Sequence, residues 1–177
     1  MENETEKSTM EKKPEEKAEK PVEKKVEAET GKSIAKNIAV IRIRGLINLR
    51  GDINDTLDML RLYRKNYCVV LPNIPAIIGM VKKAKDYITW GEIDDETYKL
   101  LVEKKSEEYK GREADSKNKI NYKNKYFVSN NKKYKKYFRL SPPRGGFEKK
   151  GIKTPFSKGG VLGNRKEKIK ELIKKML

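Results

Sequence analysis

Two neighbouring stretches hold the residue types that neutralise phosphate and stack on bases. Residues 121–140, NYKNKYFVSNNKKYKKYFRL, interleave Tyr and Phe with Lys and contain no acid. Lys and Arg neutralise phosphates, Asn and Tyr offer hydrogen bonds, and the rings can stack on unpaired bases. Residues 139–165, RLSPPRGGFEKKGIKTPFSKGGVLGNR, hold six of the twelve glycines, three of the seven prolines and seven Lys/Arg against one acid, Glu148. Glycine there lets backbone amides approach phosphate oxygens where a side chain would obstruct. A flexible linker would share the breakers, but it has no need of the charge.

Other chemistries find little support. GFEKKGIKT has the two glycines of a phosphate-binding loop, Gly146 and Gly151, but Ile152 precedes Lys153 and Thr154. The P-loop requires Lys directly after the second glycine and a strand directly before the first. No histidine occurs, so Ser-His and Cys-His nucleophile pairs cannot be built. The single cysteine, Cys68, lies in the apolar run YCVVL, where an inert buried thiol is expected; a disulfide within the chain is impossible and a Cys/His metal centre is excluded. Asp94, Asp95 and Glu96 could be imagined as ligands of a divalent metal, but a helix start already gives them work as cap and dipole partners. No cofactor, metal or catalytic residue is expected.

The charge distribution points the same way. The chain has 177 residues, a net charge of +17 and a pI near 9.7, with 39% charged and 36% hydrophobic residues. Residues 1–36 carry nine Lys and ten Glu, net −1, and residues 37–109 carry twelve basic and eleven acidic residues, net +1. Residues 110–177 carry twenty-two basic and five acidic residues, net +17, so the last third holds the whole excess. Such a field implies a polyanionic partner. RNA is expected rather than DNA, because no helix-turn-helix, zinc finger or basic zipper is visible. No apolar run reaches the ~20 residues of a membrane span and no secretory leader is present, so a soluble intracellular protein is expected. A peripheral membrane role is disfavoured, because no helix combines a basic face with bulky aromatic anchors.

The elements that position these residues follow from periodicity. Residues 1–36 are low-complexity Glu/Lys sequence with little to bury, and are expected to be a disordered extension. IAVIRIRGL, residues 38–46, alternates Ile41 and Ile43 with Arg42 and Arg44, which predicts a strand with one buried and one polar face. A helix is predicted from Asp52 as N-cap through Ile53, Leu57 and Leu60, then a strand YCVVL. Asn73 is expected to cap a second helix with Pro75 in its first turn, and YITW makes a third strand. A third helix is predicted from Asp94, a short strand at KYFRL, and a last helix over 165–177. In that last helix Asn164 and Glu167 have capping-box spacing, and Ile169, Leu172, Ile173 and Met176 form a stripe. Residues 111–137 show no clear period.

IAVIRIRGL, DTLDMLRLYRKNYCVVLP, GMVKKAKDYITWGEID, RLSPPRGGFEKKGIKTPFSKGGVLGNR and KIKELIKKML together resemble the archaeal large-subunit ribosomal protein L-thirty family, counterpart of eukaryotic large-subunit protein L-seven. The resemblance runs from about residue 37 to 177. It implies an α+β fold: a β-α-β-α-β core over 37–91 with a three-stranded, mostly antiparallel sheet, and a basic extension over 92–177 of the archaeal and eukaryotic type. It also implies a non-catalytic constituent of the large subunit in the cytoplasmic ribosome, with large-subunit rRNA, 5S rRNA and neighbouring ribosomal proteins as partners, and neither membrane nor DNA. On that basis Arg42, Arg44, Arg50, Arg61, Arg64 and Lys65 are expected to contact RNA from the core. Arg139, Arg144, Lys149, Lys150, Lys153, Lys158 and Arg165 are expected to do so from the loop over 139–165. That loop is expected to gain its fold only on RNA. The rival reading is a non-ribosomal RNA-binding or RNP-assembly protein on the same fold.

Overall fold

Hydrophobic residues on both faces of one short strand organise the chain. The computed structural model describes residues 37–114, 119, 122–129 and 131–177, and these belong to a unit spanning Ile34–Leu177. The tail at 1–36, expected to be disordered, lies outside the described residues. Strand β1 (Ile38–Arg42) runs between β2 (Tyr67–Leu71) and β3 (Ile88–Glu92), antiparallel to both, with Ile41 opposite Cys68 on one side and Thr89 on the other. Helices α1 (Gly51–Met59) and α2 (Pro75–Lys83) connect these strands, giving the predicted β-α-β-α-β order. They cover one sheet face, where Ile38 and Val40 pack with Leu57, Val69, Val81 and Ile88.

Burial on both faces corrects the expectation of a polar side to β1. All five β1 residues are buried. Ala39 and Ile41 pack against Leu101 of α3 (Asp95–Lys105) and Ile169, Ile173 and Met176 of α4 (Ile169–Met176). The region beyond residue 92 therefore supplies half of the hydrophobic core. It also widens the sheet: β6 (Phe138–Arg139) pairs antiparallel with β2 and β7 (Gly163–Asn164) pairs parallel with β3, so five strands stand in the order β6-β2-β1-β3-β7. The short strand predicted at KYFRL is β6, whereas the two residues of β7 leave no period to read, and the sheet is wider than the three strands that the resemblance implies. Gly91 allows this closure. A Cβ there would collide with the Lys166 carbonyl and the Ile169 side chain.

The aperiodic stretch contains a hairpin. β4 (Tyr126–Ser129) and β5 (Lys132–Lys135) pair antiparallel, with Ser129 opposite Lys132 and Asn131 at φ 59° in the turn. Phe127 holds the hairpin to the body, with its ring 6.3 Å from Phe138 and 5.8 Å from Tyr134. Residues 107–109 run beside β5, where the Tyr109 amide donates to the Lys133 carbonyl at 2.8 Å and the Lys135 amide to the Glu107 carbonyl at 3.0 Å.

Helix ends differ from the predicted caps by a residue or more. Arg50 and Ile74 hold the N-cap positions of α1 and α2, and Asp52 lies in the first turn of α1, where it faces the helix dipole. Asp94 is the N-cap of α3 as expected, though without a side-chain cap bond. Asn164 caps a different feature. Its Oδ1 accepts from the Lys166 amide at 2.8 Å and initiates a 3-10 turn (Lys166–Lys168), after which α4 begins at Ile169.

Candidate nucleic-acid interface

The thirteen cationic residues singled out from the sequence divide by burial. Arg42, at the end of β1, is fully buried and forms no ion pair among the described residues. Its Nη1 donates to the carbonyls of Leu62 at 2.6 Å and Tyr63 at 3.3 Å, Nη2 to Gly45 at 3.1 Å, and Nε to Arg44 at 3.0 Å. Burial lowers its pKa, opposed by the charge of Asp58. Every hydrogen it donates is spent tying the chain after α1 to the loop after β1. Arg42, expected at the RNA contact, is instead enclosed by the chain and leaves no surface of its own exposed.

The other core cations remain outside. Arg44 is half-buried, lies over the Tyr87 ring at 4.7 Å and donates to the Asp86 carbonyl at 3.1 Å. Arg50 is exposed beside Asp52 at 3.3 Å, a surface pair worth about 0–1 kcal/mol that a phosphate can displace. Arg64 and Lys65 are exposed, and neither forms an ion pair among the described residues. Arg61 holds φ at 61°, a left-handed conformation uncommon for a side chain of its size.

Arg61 also brings the core and the hairpin together. Its Nη2 donates to the Asn124 carbonyl at 2.5 Å, and Lys136 nearby has its pKa lowered by burial and by the Arg61 charge. Behind them the Tyr67 and Tyr137 rings stack at 5.0 Å, and Tyr63 stands perpendicular to Tyr137 at 6.1 Å. Glu107 receives Lys135 at 2.8 Å and Arg139 at 3.2 Å, and the hydrogen bond from Lys135 is the main reason its carboxyl lies below its ordinary value. Lys125, Lys135, Lys136 and the tyrosines around them were not assigned individually from the sequence. The signal was the basic aromatic tract, but without a period it named no residues.

The stretch 139–165 is anchored at one buried ion pair. Arg165 is 4% exposed and makes a two-pronged pair with Glu148, with Nη2 donating to Oε2 at 2.7 Å. Its Nε donates to the Thr89 hydroxyl at 3.0 Å, Nη2 also to the Val161 carbonyl at 3.2 Å, and the Phe156 ring covers the guanidinium at 4.7 Å. Burial is the largest single influence on Glu148 and opposes its ionisation, but the hydrogen bond from Arg165, a backbone hydrogen bond and the charges of Arg165 and Lys175 together keep the carboxyl below its usual range. Pro143, Val161 and Leu162 are buried, and Phe147 packs on the core. The loop thus has internal contacts that its composition did not suggest. Gly145 and Gly146, at φ 80° and 78°, turn the chain after Arg144. Arg144, Lys149, Lys150, Lys153 and Lys158 are exposed and carry no ion pair among the described residues.

The remaining reactive groups are occupied. Burial pushes the Cys68 thiol up to about 12, so it stays protonated and inert. Asp94 pairs with Lys170, and among the described residues no three His, Cys, Asp or Glu side chains could hold a metal ion. No helix among the described residues is long and apolar enough to cross a membrane.

Comparison with known proteins follows the same lines. The family model described as ribosomal protein L30p/L7e matches residues 38–88, which run from β1 to the start of β3. Large ribosomal subunit protein uL30 of Methanococcus vannielii is 42% identical over 156 residues, covering 78% of this chain and 98% of that protein. The proteins of the same name from Nanoarchaeum equitans and Methanopyrus kandleri are 42% and 37% identical, over 76% of this chain and 95% and 100% of their own lengths. The similarity therefore extends well past the family-model match.

Proposed function

Since this chain belongs to the ribosomal protein L30p/L7e family and is a structural constituent of the large ribosomal subunit, we infer that it works by holding rRNA segments together with its exposed cations. It is a protein of the cytoplasmic ribosome, and rRNA and neighbouring ribosomal proteins are its partners. The contacts belong to Arg44, Arg50, Arg61, Arg64 and Lys65 from the core. From the extension they belong to Arg139, Arg144, Lys149, Lys150, Lys153 and Lys158. Arg42 and Arg165 position these groups from inside. The observation that carries the reading is the set of exposed cations around Arg144–Lys158, without carboxylate partners among the described residues, on a loop pinned by its one acid. Such charges gain most from phosphate, because each neutralised phosphate releases counterions.

The packing supports a surface formed before RNA arrives. A sheet covered on both faces holds the Arg61–Lys65 turn, while α4 and Arg165 hold the loop, so little ordering entropy is lost there on binding. No step of chemistry is required of any side chain. By resemblance to the archaeal L-thirty family, 5S rRNA is included among the RNAs touched. Crosslinking with mass spectrometry on purified large subunits tests the assignment. Links from Lys149, Lys150, Lys153 or Lys158 to rRNA are expected. Links confined to residues outside the named set would refute it, and absence of 5S links would remove that RNA alone.

A further inference from the structure

Arg61, Tyr63, Tyr109, Lys125, Lys135 and Tyr137 line a cleft of about 280 Å3. That lies just below the ~300–1,000 Å3 of ligand pockets, the scale of one nucleotide rather than a strand. None of the six lining residues is acidic. Lys135 shares the Glu107 carboxylate with Arg139, whereas Arg61 and Lys125 have no carboxylate partner among the described residues. The rings are fixed before any ligand arrives: Tyr67 stacks on Tyr137 with planes 13° apart, and Tyr63 meets Tyr137 at 85°. Tyr63 nevertheless keeps 43% of its surface exposed.

We propose that this cleft receives a single unpaired nucleotide of rRNA, its base stacked on Tyr63 and its phosphate held by Arg61 and Lys125. The inference rests on the RNA-binding reading above and adds a site to it. Three features select this ligand. A flat aromatic surface beside cations matches a base and its phosphate, since every base has a π-face. The left-handed backbone at Arg61 closes α1, with the Arg61 amide on the Asp58 carbonyl and the Leu62 amide on Leu57, and leaves the guanidinium on the Asn124 carbonyl at the cleft. Finally, the cleft joins the turn after α1 to the hairpin, so occupancy would lock two separate parts of the chain onto one RNA segment.

Short-wave ultraviolet irradiation of purified large subunits bonds bases to the tyrosines they touch, and mass spectrometry of the digested protein locates the adduct. A nucleotide on Tyr63, Tyr109 or Tyr137 is expected. Adducts on other residues but none on these three would overturn the cleft and leave the RNA-binding reading intact. No adduct anywhere on the chain would count against both, and a crosslink from the cleft to another protein would replace the nucleotide by a peptide. In binding to isolated large-subunit rRNA, Tyr63→Ala should lose about five- to hundredfold in affinity with an unchanged salt slope. Tyr63→Phe, which keeps the ring, should stay within about twofold. An unchanged affinity for Tyr63→Ala overturns the proposal.

Discussion

Arg42 and Arg165 are both buried, yet the protein holds them in opposite ways. Arg42 sits in the charge-balanced core and is surrounded by carbonyl oxygens, with no carboxylate in contact. Arg165 ends the stretch richest in glycine, and is held by Glu148, the only acid between residues 139 and 165. In the core, backbone turns with fixed geometry can supply the acceptors. In the loop the backbone needs anchoring itself, so a full negative charge does the work. On the function proposed above, the exposed cations around each arginine are left for the RNA.

The largest effects should come from the shared core under both arginines. Ile173→Ala should lower stability by about 2–5 kcal/mol in denaturant melts, as Leu57→Ala should on the other face. Both variants should unfold in one transition, and separate transitions would show that the extension is not integral. Arg42→Met should cost about 2–3 kcal/mol, because the buried Leu62 carbonyl loses its donor. Glu148→Gln should cost about 2 kcal/mol, less than the ~3–5 kcal/mol for a fully buried pair because Glu148 is 31% exposed. Its effect should be local. Amide exchange should speed up across residues 143–163 while β1 keeps its protection.

Acid sharpens the same contrast. The folded Glu148 carboxyl titrates below its unfolded value, so its contribution is complete above the ordinary glutamate range and is lost as pH falls through the folded pKa. Loop protection should therefore hold at neutral pH and fade in acid, and Glu148→Gln should abolish that dependence. Arg42 has no carboxylate contact, so exchange near Leu62 should show no matching step. The smallest stability effects belong to exposed cations: Lys153→Gln should change stability by less than about 0.5 kcal/mol.

The contrast also marks what the sequence could reveal. Ile53, Leu57 and Leu60 follow a helical period, and Ile169, Leu172, Ile173 and Met176 form a complete stripe, so these elements were legible. The hairpin was not, because KKYK in β5 lacks the apolar alternation of a half-buried strand and its partners lie in residues 107–109 and 126–129. The roles of Arg42 and Arg165 were hidden for a related reason. RIRG reads as an alternating polar face until the chain after α1 is known to wrap over Arg42, with the Leu62 and Tyr63 carbonyls on its guanidinium. Thr89 lies 76 residues from Arg165, and the carbonyls that receive Arg42 belong to a turn with no side-chain signature. The exposed cations of the loop were legible as a group, since composition alone locates them.

Salt dependence of binding to isolated large-subunit rRNA tests the central claim most directly. The measurement compares the natural protein with a variant in which Arg144, Lys149, Lys150, Lys153 and Lys158 are all changed to Gln. If these five groups neutralise phosphates, the slope of log affinity against log salt should become less negative by about 3.5–4.5. An unchanged slope, with the variant still folded, would contradict the account.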